Sequence, residues 1–190
     1  MTPQRSSALR RRLRPLFLGF AVWLAGAGVA GATLMKYFEV EELARLATDV
    51  FRGQVVATET YWDAGRTRIY TAVRVRVDET LKGAAAPGET VTVTQLGGEK
   101  DGVLLDFVGR PRFAAGESVV LFTRRGRGAD YLVVGLRQGK MRLAGDQVER
   151  DFSGLTLIAD GGPGRPPCPL QLARQSLTLG ELRRRIARAR

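Results

Sequence analysis

The carboxylates around residue 100 are the side chains of this chain whose type and spacing could perform chemistry. Asp101 and Asp106 flank a strand-like segment, and Glu99 lies close to them in the sequence. Such a group could hold a calcium ion or divide acid and base roles between two carboxyls. The spacing fits no known ligand loop, however, and charged turns beside glycines are usually solvated. A carboxylate- or metal-dependent enzyme is therefore the alternative hypothesis, behind simple solvation of these residues.

Histidine is absent from the 190 residues, and Cys168 is the sole cysteine. The absence of histidine excludes Ser-His-Asp and Cys-His nucleophile systems, histidine general bases and most zinc sites. A lone cysteine forms neither an intramolecular disulfide nor a thiolate metal site. We interpret Cys168 as an incidental loop residue, with an intermolecular bridge or a reactive thiol as the alternative. The sequence therefore predicts a protein that is not an enzyme and binds no cofactor or metal.

Binding of a partner is the function that the remaining chemistry favours. Exposed aromatic side chains and long turns are common binding features of small barrels. The pair Gly97-Gly98 lacks the following helix and the spacing of a phosphate loop, so it predicts a turn. A protein, a glycan or another envelope component would suit such a surface. The candidate partner-binding residues are Tyr61, Trp62, Asp101, Asp106 and Phe107.

Predicted strands must position these residues. The sequence patterns of these strands run from about residue 50 to residue 158. Val73, Val75 and Val77 alternate with charged residues, which predicts a half-buried strand. Gly53 in the first pattern suits a bulge or a sharp bend. The segment 117–123 is continuously apolar enough to predict a strand buried on both faces. The predicted strands are 50–61, 68–80, 90–96, 103–108, 117–123, 131–136 and 140–143, with short edge strands at 147–151 and 155–158.

Short strands separated by glycine turns, without intervening helices, indicate a mainly β fold, and we predict a small antiparallel barrel over residues 33–160. A short helix at 38–47 precedes the strands and would cover one end of the barrel. Residues 161–170 read as a proline- and glycine-rich linker. A basic amphipathic helix is predicted over 171–190, with a capping box formed by Thr178 and Glu181.

The terminal helix has two interpretations. Leu179, Leu182 and Ile186 fall on one helical face, while arginines occupy the rest. In the first interpretation the apolar face packs on the barrel, because a helix of about 12 residues needs tertiary packing to be stable. In the second, the helix makes a peripheral contact with an anionic membrane or an acidic partner through its arginines.

The first 32 residues have the order of a secretory signal peptide. Five arginines and no acidic residue come first, an apolar run covers 16–30, and Ala30-Gly31-Ala32 ends the segment. Small residues at Ala30 and Ala32 suit signal peptidase, so Thr33 is the predicted first mature residue. The protein is therefore expected to be exported, to the periplasm or the extracellular space. The alternative is an uncleaved helix that tethers the protein to the inner membrane.

The net charge of +11 belongs mostly to the two ends of the chain. Residues 174–190 contain six arginines and one glutamate, whereas residues 33–173 contain 19 basic and 18 acidic side chains. Nucleic-acid binding requires a basic footprint on the folded body. The near-neutral body and the predicted export therefore argue against nucleic acid as a partner.

Several segments together resemble a known group of proteins. They are TDVFRGQVVATET, RIYTAVRVRVDETLKG, VTVTQLGG, GRPRFAAGESVVLFT and YLVVGLRQGKMRL. In this order, over about residues 38–145, they resemble uncharacterised exported bacterial β proteins. More distantly they are similar to the netrin-like branch of OB-fold barrels, which includes the tissue inhibitors of metalloproteases.

The netrin-like resemblance implies the barrel and nothing about activity. Those inhibitors use an amino-terminal cysteine as a ligand to the protease zinc, and they depend on disulfides. Here Thr33 occupies the predicted mature terminus, and a single cysteine allows no disulfide within the chain. The inhibitory mechanism is therefore not implied for this protein.

Overall fold

A computed structural model describes residues 34–126, 128–160 and 168–189. The predicted export segment, with Ala30, Ala32 and Thr33, lies outside these residues, as does most of the predicted linker. The described part is mainly β, and a helix ends it, as the sequence predicts. None of its helices combines the length and the apolar character that crossing a bilayer requires.

The described residues form 13 strands, two α-helices and one short 3-10 helix. The bounds are β1 Leu34–Lys36, α1 Val40–Leu46, β2 Asp49–Trp62, β3 Ile69–Lys82, β4 Thr90–Leu96, β5 Gly98–Lys100, β6 Val103–Leu105, β7 Ser118–Arg125, β8 Tyr131–Val133, the 3-10 helix Leu136–Gly139, β9 Lys140–Ala144, β10 Gln147–Asp151, β11 Thr156–Ala159, β12 Cys168–Leu170, β13 Arg174–Thr178 and α2 Leu179–Arg188.

The largest sheet has eight strands in the order β13-β10-β9-β7-β2-β3-β4-β8. Strand β8 pairs with β4 in parallel through Val93 and Tyr131, and it also pairs with β7 in the antiparallel sense. A second sheet has the order β1-β11-β12, and β5 and β6 form a separate hairpin. Most pairings are antiparallel, but β1 with β11 and β4 with β8 are parallel.

The long β2–β3 hairpin is bent where the sequence predicts a bend. The pairing register shifts between Arg52 and Gly53. A Cβ atom on Gly53 would lie 2.3 Å from the carbonyl oxygen of Arg76 on the partner strand. Only glycine allows this close approach of two backbones, so the predicted bulge at Gly53 is confirmed.

Strand β7 is buried on both faces, as its continuous apolar run predicts. Val119 and Leu121 belong to a core formed with β2, β3, β4 and β8. Val120 and Phe122 point to the opposite face and belong to a second core, which includes residues of α1 and α2. The helices therefore cover the outer face of this part of the sheet.

Helices α1 and α2 are joined to each other and to the sheet. Leu182 and Ile186 of α2 are almost fully buried in the core that α1 shares. The Arg185 guanidinium lies 2.6 Å from the Glu41 carboxylate of α1. Lys82, at the end of β3, donates hydrogen bonds of 2.7 Å to two carbonyl oxygens at the end of α1, where the helix dipole favours a positive charge.

The carboxyl-terminal segment differs from the predicted helix over 171–190. Residues 174–178 form β13, which pairs with all five residues of β10, and α2 begins only at Leu179. Five mostly polar residues contain too little hydrophobic periodicity to indicate a strand. The Thr178 half of the predicted capping box is confirmed, because Thr178 Oγ1 accepts a hydrogen bond of 3.1 Å from the Glu181 amide, whereas the Glu181 carboxylate binds Arg184.

Three further differences concern short elements. The predicted strand 103–108 ends at residue 105, and the predicted strand 131–136 ends at residue 133. Strand β12 lies within the predicted linker 161–170, and β1 was not predicted. Strands of three residues are too short for an alternating pattern to be recognised.

Candidate partner-binding surface

The β5–β6 hairpin carries Asp101 in its turn and leads into the loop of Asp106 and Phe107, and buried contacts fix it on the main sheet. Thr71 Oγ1 donates a hydrogen bond of 2.6 Å to the carbonyl oxygen of Gly97. Gly98 has a φ of +143°, and a Cβ there would lie 2.6 Å from side-chain atoms of Thr60 and Thr71. The predicted Gly97-Gly98 turn therefore allows the hairpin to pack directly against β2 and β3.

The structure brings the predicted residues Trp62 and Asp101 together. Trp62 Nε1 donates a hydrogen bond of 2.8 Å to Asp101 Oδ2, and an Arg66 guanidinium nitrogen lies 3.2 Å from the same oxygen. The Arg66 guanidinium also lies 5.6 Å from the centre of the Trp62 ring. Tyr61 stacks on Tyr70 of β3, with ring centres 6.0 Å apart. Asp101 thus connects the tip of the β2–β3 hairpin to the β5–β6 turn.

Asp106 belongs to a different cluster. Its Oδ1 accepts a hydrogen bond of 2.8 Å from Arg110 Nε, and its Oδ2 accepts one of 2.6 Å from Arg112. The hydrogen bond from Arg110 lowers the pKa of Asp106, and the charges of Arg110 and Arg112 act in the same direction. A carboxyl with a lowered pKa is a poor general acid.

The two predicted carboxylates therefore have separate sets of partners. Across residues 34–126, 128–160 and 168–189, histidine, cysteine, aspartate and glutamate form no group of three or more that could hold a metal ion.

Four large apolar side chains lie exposed within six consecutive residues, and we name them the apolar lip: Val103, Leu104, Phe107 and Val108. Their exposed fractions range from 36% for Phe107 to 64% for Leu104. Consecutive strand residues point to opposite faces, so exposure of both Val103 and Leu104 means that neither face of β6 is covered at this point. Large exposed apolar groups with polar neighbours are typical of interaction sites.

The sequence pointed to only one of these four residues. Phe107 was a candidate because it is aromatic and lies in a long turn. Val103, Leu104 and Val108 fell within a predicted strand, where apolar residues are expected to be buried. The signal that could have found them is the shortness of the segment between two glycine turns, which leaves little strand for the sheet to cover.

One cleft lies beside the apolar lip, and a second cleft adjoins the first. The first has a volume of about 360 Å³, and its lining includes Phe107, Val108 and Leu155. The second has a volume of about 410 Å³ and a charged lining that includes Lys140, Arg142 and Glu149. Arg112 and Arg137 line both clefts. Phe107 and Val108 of the lip therefore border a concave region in which basic side chains outnumber acidic ones.

Helix α2 does not expose its apolar face. Its apolar residues Leu179, Leu182 and Ile186 are buried in the protein core. Arg183, Arg184 and Arg185 donate hydrogen bonds to the carboxylates of Glu79, Glu181 and Glu41. The apolar face of α2 is therefore not available to a bilayer, and three of its arginines are engaged within the chain.

No protein-family model matches the chain, and a search of curated proteins found no match.

Proposed function

We propose that the chain is an exported, non-enzymatic binding protein of the cell envelope or the extracellular space, and that it docks a partner protein through the apolar lip. The observation that carries the proposal is the exposure of Val103 and Leu104 on a hairpin fixed to the sheet, and of Phe107 and Val108 in the loop that follows it. Burying such side chains against a partner is favourable by about 25 cal/mol per Å² of apolar surface. A fixed hairpin loses little conformational entropy when it binds.

The proposed scaffold is a netrin-like OB-type barrel. An OB-fold is a five-stranded Greek-key barrel. In support, β7, β2, β3, β4 and β8 each pair with the next, and β8 pairs again with β7. The buried residues of these strands, among them Phe51, Val75 and Val93, supply an apolar interior.

Export is the second part of the proposal, and the order of residues 1–32 supports it. A basic start, an apolar run and small residues at Ala30 and Ala32 fit signal peptidase cleavage. The mass of the protein recovered from the cell envelope tests this directly. A mature form that begins at Thr33 is expected, and a form that retains the first 32 residues would mean a membrane-tethered protein instead.

Binding is favoured over catalysis because the candidate carboxylates are already engaged. Asp101 accepts from Trp62 and Arg66, and Asp106 accepts from Arg110 and Arg112. Both oxygens of Asp106 are held by arginines, which favours its charged form and makes it a poor general acid. The two bonds to Asp101 both end on Oδ2, so that oxygen is engaged by Trp62 and Arg66.

Partner capture tests the docking function. The protein carrying Leu104→Ser and Phe107→Ser is compared with the wild type for binding to proteins of the source organism's envelope fraction. Val56 and Leu46 are also exposed apolar residues, but they lie outside the lip. Val56→Ser with Leu46→Ser is therefore the matched control.

We expect one partner that the wild type and the control retain and the lip variant loses. Capture of the same partner by all three proteins would exclude the lip as the docking surface. Absence of any specific partner would count against the binding function itself.

A further inference from the structure

The two clefts meet at Arg112 and Arg137. We propose that these two arginines bind a carboxylate in an acidic segment of the partner protein. Apolar side chains of the same segment would pack against the apolar lip. This inference rests on the proposed docking function and names the chemistry of the partner.

Arg112 is positioned by two successive ion pairs. Arg110 is almost fully buried and binds one oxygen of Asp106, while the other oxygen binds a terminal nitrogen of Arg112. The Arg112 side chain itself is 69% exposed. A guanidinium has five N–H donors, so this contact orients Arg112 and leaves most of its donors available. Asp106 is therefore a positioning residue in the proposal.

Arg137 is fixed from the other side of the clefts. One of its terminal nitrogens donates a hydrogen bond of 2.8 Å to the carbonyl oxygen of Ser153. Its backbone amide donates to the carbonyl oxygen of Gly109, also at 2.8 Å. The second bond ties Arg137 to the loop that carries Arg112. Both arginines are thus held by protein contacts before any ligand arrives, which lowers the entropic cost of binding an oxyanion.

The charges around the arginine pair favour a discrete carboxylate over a uniformly anionic surface. The larger cleft is lined by both signs of charge, since Glu117, Glu149 and Asp151 lie among five arginines and Lys140, and Lys140 binds Glu117 at 2.6 Å. A flat layer of anionic headgroups would place negative charge against Glu149 and Asp151. A protruding acidic side chain can enter the cleft and avoid them. The concave shape agrees with this, since a membrane surface cannot follow a cleft of about 410 Å³.

The apolar lip completes the match to a peptide. Phe107 and Val108 line the smaller cleft together with Arg112 and Arg137. In an extended peptide, alternate side chains point to opposite sides, and neighbouring strands or turns of the partner can place an acidic residue beside an apolar one. A partner that fills this cleft needs both kinds of side chain. We therefore expect an acidic segment that also contains leucine or a similar apolar residue.

The test uses a short peptide of glutamate and leucine, with blocked ends and a fluorescent label, and a second peptide in which glutamine replaces glutamate. Fluorescence anisotropy measures the Kd of each for the purified protein. The variant is Arg112→Gln with Arg137→Gln. The matched control is Arg124→Gln with Arg188→Gln, because both arginines are exposed, neither lines either cleft, and the change in net charge is the same.

We expect the glutamate peptide to bind about tenfold more weakly to the Arg112 and Arg137 variant, and to bind the control within about twofold of the wild type. The Kd of the glutamine peptide for the wild type should be similar to the Kd of the glutamate peptide for the variant. Equal Kd values for the wild type and the variant would overturn the proposal. Displacement of the peptide by inorganic phosphate, at a concentration similar to that of the peptide, would also overturn the proposal. So would binding to phosphatidylglycerol vesicles that is tighter than binding to the peptide and that needs both arginines.

The same variants separate this inference from the proposed function. If partner capture depends on Leu104 and Phe107 but not on Arg112 and Arg137, the docking function stands and the carboxylate site is wrong. If neither pair affects capture, both proposals fail.

Discussion

Asp106 shows how the surroundings of a residue decide what its chemistry can be. The sequence marks it as a titratable group near a turn, which suits an acid, a base or a metal ligand. In the fold its two oxygens bind Arg110 and Arg112. Arg110 lies four residues later on an irregular loop, where spacing in the sequence sets no fixed geometry, so the sequence could not predict the pairing.

The pKa of Asp106 gives a prediction at this scale. The hydrogen bond from Arg110 lowers the pKa in the folded protein relative to an ordinary value of about 3.9. A carboxyl with a lowered folded pKa stabilises the fold above the ordinary value, and this contribution is lost as pH falls through the folded pKa.

The free energy of unfolding, measured by urea titration from pH 7 downward, should therefore be larger for the wild type than for Asp106→Asn at neutral pH. The difference should shrink below about pH 4. A difference that stays constant down to about pH 2 would contradict the pairing with Arg110.

Gly98 gives a second residue-scale prediction. With φ at +143°, a Cβ would meet Thr60 and Thr71 at 2.6 Å. Gly98→Ala should lower the free energy of unfolding by about 2–4 kcal/mol, from overpacking and backbone strain together. Gly88 also has a positive φ, but no atom lies within 4 Å of the place that a Cβ would take there. Gly88→Ala should therefore cost only about 1–2 kcal/mol, and equal losses for both variants in urea unfolding would refute close packing of the hairpin.

At the scale of elements, long periodic segments were predictable and short ones were not. Strand β4 occupies the predicted residues 90–96, and β7 is buried on both faces as its apolar run indicates. The β5–β6 hairpin and β13 depend on tertiary pairing, which a single sequence does not reveal. Arg150 is the sharpest case, because it lies fully buried on β10 and binds the carbonyl oxygen of Phe38 at 2.7 Å.

Helix α2 supplies the prediction at the element scale. Leu182 is fully buried in the core that α2 shares with α1 and β7. Leu182→Ala should lower the free energy of unfolding by about 2–5 kcal/mol, from lost apolar burial and the cavity left behind. Arg184 lies on the same helix and is exposed, so Arg184→Ala should change stability by less than about 0.5 kcal/mol. Similar, small effects of both substitutions on thermal unfolding would mean that α2 does not pack on the body.

At the scale of the whole molecule, the mainly β class and the terminal helix followed from the sequence. The predicted site was partly assembled by the fold, since Trp62 and Asp101 meet, whereas Asp106 joins Arg110 and Arg112. Three of the four residues of the apolar lip, and the arginine pair, were not predicted. Burial of an apolar residue depends on what the rest of the chain places over it, and local periodicity contains no such information.

The proposed function is that the protein is exported and docks a partner through the apolar lip. Photo-crosslinking in intact cells of the source organism tests both parts together, with a photoreactive amino acid placed at Leu104 in one protein and at Val56 in another. Both positions are exposed and apolar. We expect a specific crosslinked partner from Leu104 and none from Val56, in an envelope fraction where the protein begins at Thr33. Equal crosslinking from the two positions, or a crosslinked protein that stays in the cytosol with its first 32 residues, would refute the proposal.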